Sequence, residues 1–204
     1  MTNNESRRKA QRQARGLRSV DSILHAAADV FVEVGYVGAT TNLIANRAAM
    51  SPGSLYQFFP NKDAIAYALA NHYIEQLHGF YEQLLALNFS DMDLAATIDN
   101  LIDPLVAFNQ KNPAFYLLSV STQYAPPLAA ILKDFHGAVI QYIKTVIAYS
   151  IPAASPEDQA RAAIMMHRMF LAIIPLVLDE TRQDNRLILK DMKAIFVNYL
   201  SSLV

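Results

Sequence analysis

Apolar residues recur at intervals of three and four along almost the whole chain, which is the spacing of helix faces, and no stretch alternates as a meander of strands would. The pattern predicts an all-α protein. Val20, Ile23, Leu24, Ala27, Val30, Phe31 and Val34 form one stripe and predict a helix over about residues 19–34, stopped at Gly35, where a left-handed residue is needed. Thr40 and Thr41 can each cap a short second helix that holds Leu43, Ile44, Arg47 and Ala48 and ends near Ala49-Met50. Ser51-Pro52-Gly53 opens a third: a serine cap, then proline at the first helical position, where a missing N–H is no loss. Pro60 closes it. Asn61 caps a fourth helix through about residue 87, on the stripe Ile65, Leu69, Tyr73, Leu77, Phe80 and Leu84.

The capping signals then repeat. Ser90, with Asp93 three residues on, opens a helix carrying Leu94, Ile98, Leu101, Leu105 and Phe108, with a kink at Pro104. Asn112-Pro113 opens a short one, ended by Ala125-Pro126-Pro127. The next runs over residues 128–149 with Ile131, Leu132, Phe135, Val139, Tyr142 and Val146 inward. Ser155-Pro156-Glu157-Asp158 is a cap, a first-position proline and two carboxylates suited to a helix N-terminus; that helix reaches about residue 180. A last helix, over about residues 185–203, presents Ile188, Met192, Ile195, Phe196, Tyr199 and Leu203, making about nine helices in all.

Composition narrows the function classes. A chain of 204 residues, 53% hydrophobic, can bury a sizeable core, and the absence of cysteine excludes disulfides, thiolate metal sites and a thiol nucleophile. A reducing cytoplasm is the expected home. The N-terminus is polar and basic, without the apolar run of a secretory signal. Residues 162–178 come closest to a membrane span, but His167, Arg168 and Pro175 interrupt them, so a buried helix is expected and no membrane partner. There is no Gly-rich phosphate loop, nucleophile elbow or HExxH motif; His72 and His78 lie on different helix faces, and Asp91 and Asp93 read as capping residues. An enzyme, a metal site or a cofactor is therefore not expected.

Charge is uneven. Residues 1–62 hold eight basic and four acidic groups, a net of +4, while the remaining 142 hold nine and fourteen, a net of −5. An anionic partner for the front of the chain follows. Residues 1–16 read as a flexible basic arm; Arg15 and Arg18 are its cations nearest the first helix. Two short helices joined by a tight turn, behind a longer supporting helix, form a helix-turn-helix, which suits DNA. Ser51, Gly53 and Ser54 let the third helix approach a phosphate or the groove floor; Tyr56 can give its hydroxyl to a phosphate, Gln57 can read a base edge and Lys62 adds a cation. Leu55 and Phe59, four apart, read as core, and Phe58 as either core or contact.

Residues 27–69 resemble the DNA-binding domain of the TetR family of bacterial transcriptional regulators. Phe31, Gly35-Tyr36, Thr40-Thr41, Ile44-Ala45, Ala48, Ser51, Gly53-Ser54-Leu55-Tyr56, Phe59 and Asn61-Lys62 carry the resemblance. The family usually has glycine in the turn where this chain has Ala49; if that position needs a positive φ, alanine costs about 1 kcal/mol there. Gln57 and Phe58 replace the tyrosine and histidine often seen, so the operator sequence does not carry over. The resemblance implies phosphate contacts at Thr41, Ser51, Tyr56 and Lys62 and groove-facing roles for Gly53, Ser54 and Gln57. The candidate DNA-binding set comprises these seven, with Thr40, Pro52, Phe58, Arg15 and Arg18. It implies, too, a homodimer reading a double-stranded, pseudo-palindromic operator with its third helices about 34–36 Å apart, or a multiple of that. The expected domains are the helix-turn-helix over residues 17–65 and an effector-binding and dimerisation domain over 66–204.

In this family the last two helices usually form the dimer interface, and the C-terminal domain usually holds an effector pocket whose occupation moves the fourth helix. Residues 162–178 are apolar nearly all round, as a helix facing both a core and a partner requires. Ile164, Arg168, Leu171, Pro175, Leu178, Ile188, Met192, Ile195 and Tyr199 are the candidate interface. For the pocket the candidates are Phe80, Phe108, Phe115, Tyr116, Tyr124, Phe135, His136, Tyr142, Met166, His167 and Phe170, residues that serve equally as core. His136, His167 and Arg168 stand out, because polar groups on apolar helices must find partners. A small, mostly apolar or aromatic effector releasing a repressor from its operator is the leading expectation. The alternatives are a regulator of this fold without a small-molecule effector, and a helical ligand-binding or scaffold protein without DNA binding.

Overall fold

The computed structural model describes residues 2–87, 89, 92–120 and 126–204, with side chains from Gly16 onward except that of Pro127. Among these residues the chain forms nine helices and no strand: α1 (Thr2–Gly38), α2 (Thr41–Arg47), α3 (Pro52–Tyr56), α4 (Lys62–Leu85), α5 (Leu94–Lys111), α6 (Pro113–Val120), α7 (Pro126–Ser150), α8 (Pro156–Leu178) and α9 (Asn185–Ser201). Two compact units result, Met1–Tyr73 with Pro113–Ala129, and Ile74–Asn112 with Ala130–Val204.

In the first unit α1 packs on α2 and α6, and α2 on α3. Ile23, Ala27, Val30 and Phe31 of the expected stripe are buried, together with Ile44 and Ala45 of α2, Leu55 of α3 and Ile65, Ala66 and Leu69 of α4. Val34, the last member of the stripe, is exposed instead, at the point where the chain leaves helical geometry. Gly35 has φ +71°, a conformation that strains any residue with a Cβ, and so breaks the helix as its position predicts. Residues 2–15, most of the expected flexible basic arm over 1–16, continue α1 as helix. They contain neither proline nor glycine and are rich in Arg, Lys, Gln and Ala, all good helix formers. The Arg15 side chain lies outside the described residues. The unit runs on to Tyr73 and takes in α6, whose Phe115 ring meets Tyr73 edge-on at 5.6 Å. Burial, with the Asp29 charge adding to it, pushes the Tyr73 hydroxyl up to about 12.

In the second unit α8 packs on α9 and α5, and α5 on α9. Ile98, Leu101, Ala162, Met166, Phe170, Ile174, Met192 and Phe196 lie in its core. Asp93, not Ser90, is the residue before α5 and caps it, accepting from the Ala96 N–H at 2.7 Å; Ser90 and Asp91 lie outside the described residues. Pro126 starts α7 rather than ending α6, because its fixed φ suits a first helical turn. Ser155 caps α8 as expected, with the Asp158 N–H donating to its Oγ at 3.1 Å. By length and composition α8 could cross a membrane, and a soluble core helix meets the same criterion; Ala162, Ala163, Met166, Phe170, Ile174 and Val177 are buried within the unit.

A buried histidine meets a half-buried one at the edge of this core. His136 of α7 and His167 of α8 bring Nδ1 and Nε2 to 3.1 Å, so one neutral ring donates and the other accepts. Burial first, then the neighbouring His136 and Arg168, hold His167 down to about 4 against an ordinary 6.5. As pH falls, the unfolded chain binds this proton before the folded one does. Its contribution is complete above pH 6.5 and is lost progressively down to about pH 4, amounting to about 3 kcal/mol. Urea denaturation between pH 7 and 4 is expected to show that loss in the native chain and a shallower one in His167→Gln. Parallel curves would remove the assignment.

Candidate nucleic-acid interface

The turn between α2 and α3 sets the geometry of the site. At the end of α2 the Met50 N–H donates to the Ala45 carbonyl at 3.0 Å and the Ala49 N–H to the Asn46 carbonyl at 3.1 Å. This is a Schellman arrangement, which requires a left-handed residue after the cap. That residue is Ala49, at φ +54°, the one non-glycine residue with positive φ among those described. The conditional strain read from the sequence is therefore present. Ser51 follows with extended φ and ψ; its Oγ accepts from the Ser54 N–H at 3.1 Å, and Pro52 occupies the first helical position.

α3 divides by side. Leu55 is fully buried and Phe59 nearly so, as their spacing predicts, whereas Ser51, Pro52, Gly53, Tyr56 and Gln57 face solvent. Phe58, open to either role in the sequence, is 38% exposed. A Cβ on Gly53 would meet only the Ser51 Oγ, at 3.9 Å, an ordinary contact. Neither packing nor backbone geometry inside the protein calls for glycine at this position. Its bare backbone leaves room for something outside.

The candidate polar groups are partly engaged with each other. Thr40 Oγ1 accepts from the Leu43 N–H at 3.2 Å and so serves as the α2 cap. Thr41 Oγ1 and the Tyr56 hydroxyl are 2.9 Å apart, joining α2 to α3. One of their two protons lies between them, so the pair presents one O–H outward. Lys62 Nζ donates to the Tyr36 carbonyl at 2.8 Å and the Val37 carbonyl at 3.4 Å, and sits 4.6 Å from the centre of the Tyr36 ring. The lysine thus ties the start of α4 to the turn after Gly35. Asn61 caps α4, accepting from the Ala64 N–H at 2.8 Å. Arg18 is exposed on α1.

Two features escape the sequence reading. Arg47, counted there with the positive front, pairs with Glu33 and lies 3.8 Å from Asp29, both on α1, and its hydrogen bond to Glu33 strengthens its hold on the proton. Leu43, read only as a member of the second helix, is 43% exposed and presents an apolar surface on α2. Only their packing partners reveal either.

The residues expected around an effector divide between the units. Phe115 and Tyr116 belong to the first, and Phe80, Phe108, Phe135, His136, Tyr142, Met166, His167 and Phe170 to the second; Tyr124 lies outside the described residues. Within the second, His136 meets His167, and Tyr142 stacks on Tyr81 at 4.7 Å. Of the expected interface, Ile164, Arg168 and Ile195 are exposed, and Leu171, Pro175, Leu178, Ile188 and Tyr199 half-buried. Met192 is the correction: it is 1% exposed, because its position on α9 turns it into the core beside Phe196.

Residues 23–69 match the model of the bacterial regulatory proteins of the tetR family, and residues 93–200 that of the tetracyclin repressor-like C-terminal domain. The HTH-type transcriptional regulator UidR of Escherichia coli (strain K12) is 28% identical over 122 residues, 59% of this chain and 60% of its own length. The chain thus spans less than two thirds of that curated relative. The HTH-type transcriptional repressor KstR2 of Rhodococcus jostii (strain RHA1) is 31% identical over 80 residues, 39% of this chain and 38% of its own. A bacterial regulatory protein in the tetR family from Rhodococcus RHA1 has the same fold, with a TM-score of 0.70 over 89% of this chain and 96% of that one at 22% identity.

Ala49→Gly is expected to stabilise the chain by about 0.5–1 kcal/mol in urea denaturation. Relief of left-handed strain, about 1–2 kcal/mol, exceeds the added freedom of the unfolded chain, about 0.4–1 kcal/mol. A destabilised variant would contradict the turn geometry.

Proposed function

The chain belongs to the tetR family of bacterial regulatory proteins, and we propose on that footing that it is a cytoplasmic, homodimeric transcriptional repressor. It binds a palindromic double-stranded DNA operator through the helix-turn-helix and leaves it when a small, mostly apolar effector binds in the C-terminal domain. The observation that carries the reading is the outer side of α3, where Gly53 is needed by nothing inside the protein and stands beside exposed Ser51, Tyr56 and Gln57. A side that approaches a surface as closely as a groove wall needs small residues and a few hydrogen-bonding ends. The turn at Ala49 argues against a scaffold protein without DNA binding, since both of its Schellman bonds are made.

The dimer is supported by α8, whose Ile164, Arg168, Leu171, Pro175 and Leu178 follow one another at helical spacing and stay open or half-open to solvent. Ile195 and Tyr199 of α9 extend that stripe, and the Tyr199 hydroxyl donates to Met165 Sδ at 3.4 Å. For the effector, α4 supplies residues to both units. A ligand that displaces residues 74–85 acts through one continuous helix on residues 62–73.

Fluorescence-anisotropy titration against the intergenic DNA beside its own gene and a scrambled duplex, at two salt concentrations, tests the reading. The native duplex is expected to bind more tightly. Tyr56→Phe should weaken binding to all sequences and Gln57→Ala should alter preference among operators, while removal of residues 1–15 should flatten the salt dependence. Equal, weak binding to every duplex tried would reject the proposal.

A further inference from the structure

Arg186, Lys190 and Lys193 stand at i, i+4 and i+7 on α9 and therefore share one face of that helix. Where this face meets α5 there is a groove of ≈ 520 Å³. Its volume falls in the range of about 300–1,000 Å³ usual for small-molecule sites. Ala95 of α5 and Leu189 and Val197 of α9 give it apolar walls, above the buried Ile98, and Ala194 keeps it open.

The three cations are not equivalent. Lys193 Nζ lies 2.8 Å from Asp99 and 2.5 Å from Asp103, both on α5, so its charge is balanced within the unit. Arg186 and Lys190 have no ion-pair partner among the described residues, whereas Arg161 and Arg182 each hold a nearby aspartate. Two like charges four residues apart on a helix repel weakly, and an anion held by both reverses the sign of that interaction. Apolar walls beside a rim of two uncompensated cations complement a molecule with a hydrocarbon body and one anionic end.

We propose that the α5–α9 groove binds an amphipathic organic anion, its hydrocarbon against Ala95, Leu189 and Val197 and its carboxylate on Arg186 and Lys190. None of the aromatic and histidine residues of α7 and α8 lines this groove. At 100° per residue it also lies on the opposite side of α9 from Ile188, Ile195 and Tyr199, so the same helix can serve a dimer and this ligand together.

Isothermal titration of the full chain with sodium octanoate, kept below its micelle concentration, tests the site independently of DNA binding. Saturable binding of one octanoate per chain is expected, with 1-octanol at least tenfold weaker. Arg186→Glu combined with Lys190→Glu should reduce octanoate affinity at least tenfold, as should Ala194→Phe, which fills the groove; Lys133→Glu on α7 should leave it unchanged. All these positions except Arg186 and Lys190 together involve single exposed side chains, and the helical circular dichroism of each variant checks that it has folded. No saturable heat, equal binding of 1-octanol, or full affinity in the two groove variants would overturn the proposal.

Discussion

A helix of five residues does not persist in water, because the entropy of fixing its first turn is not repaid by the few bonds that follow. α3 exists because Leu55 is held in the core of the first unit and Phe59 closes the other end of the segment. Full burial of a leucine contributes about 1.5–3 kcal/mol, enough to hold a single turn that propensity alone would lose. Everything the outer side of α3 presents depends on that anchorage. Gly53, Tyr56 and Gln57 are placed by residues that never reach the surface.

The ends of the helices impose the second constraint. Thr40, Ser51, Asn61, Asp93 and Ser155 each satisfy a backbone N–H that would otherwise be left without a partner. Gly35 and Ala49 do the converse, turning the chain out of a helix through positive φ. One of the two is a glycine and carries no strain; the other keeps its Cβ and is strained. Lys62 then fixes the consequence of the first turn, since its ammonium bonds the carbonyls that follow Gly35. A single cation can in this way shape the site and remain near its surface.

In the second unit the physical tension is between burial and polarity. α8 turns Ala162, Met166, Phe170 and Ile174 inward and leaves Ile164, Met165 and Leu176 open, so its apolar character exceeds what its own unit uses. The buried His167 ring is satisfied by the half-buried His136, at the cost of a histidine that resists protonation. α9 carries three different sides in seventeen residues: Met192 and Phe196 inward, Ile195 in the exposed stripe, and Arg186 and Lys190 along the groove.

Signals confined to a few neighbouring residues were legible in the sequence. The helix starts at Ser51, Asn61 and Ser155, the stop at Gly35, the inward pair Leu55 and Phe59 and the exposed set on α3 all follow from local chemistry, because caps and helix faces are set within one or two turns. Where two local signals competed, as at Ser90 against Asp93 or at Pro126 between two helices, only the folded chain decided which one ended up at the helix start. What joins distant parts of the chain was beyond local reading. The pairing of Arg47 with Glu33, the bridge from Thr41 to Tyr56, the turn of Met192 into the core, and the balance of Lys193 by two aspartates that leaves Arg186 and Lys190 uncompensated all depend on which helices pack together. A charge or an apolar side chain in a sequence states what must be satisfied; the tertiary structure alone brings the group that satisfies it.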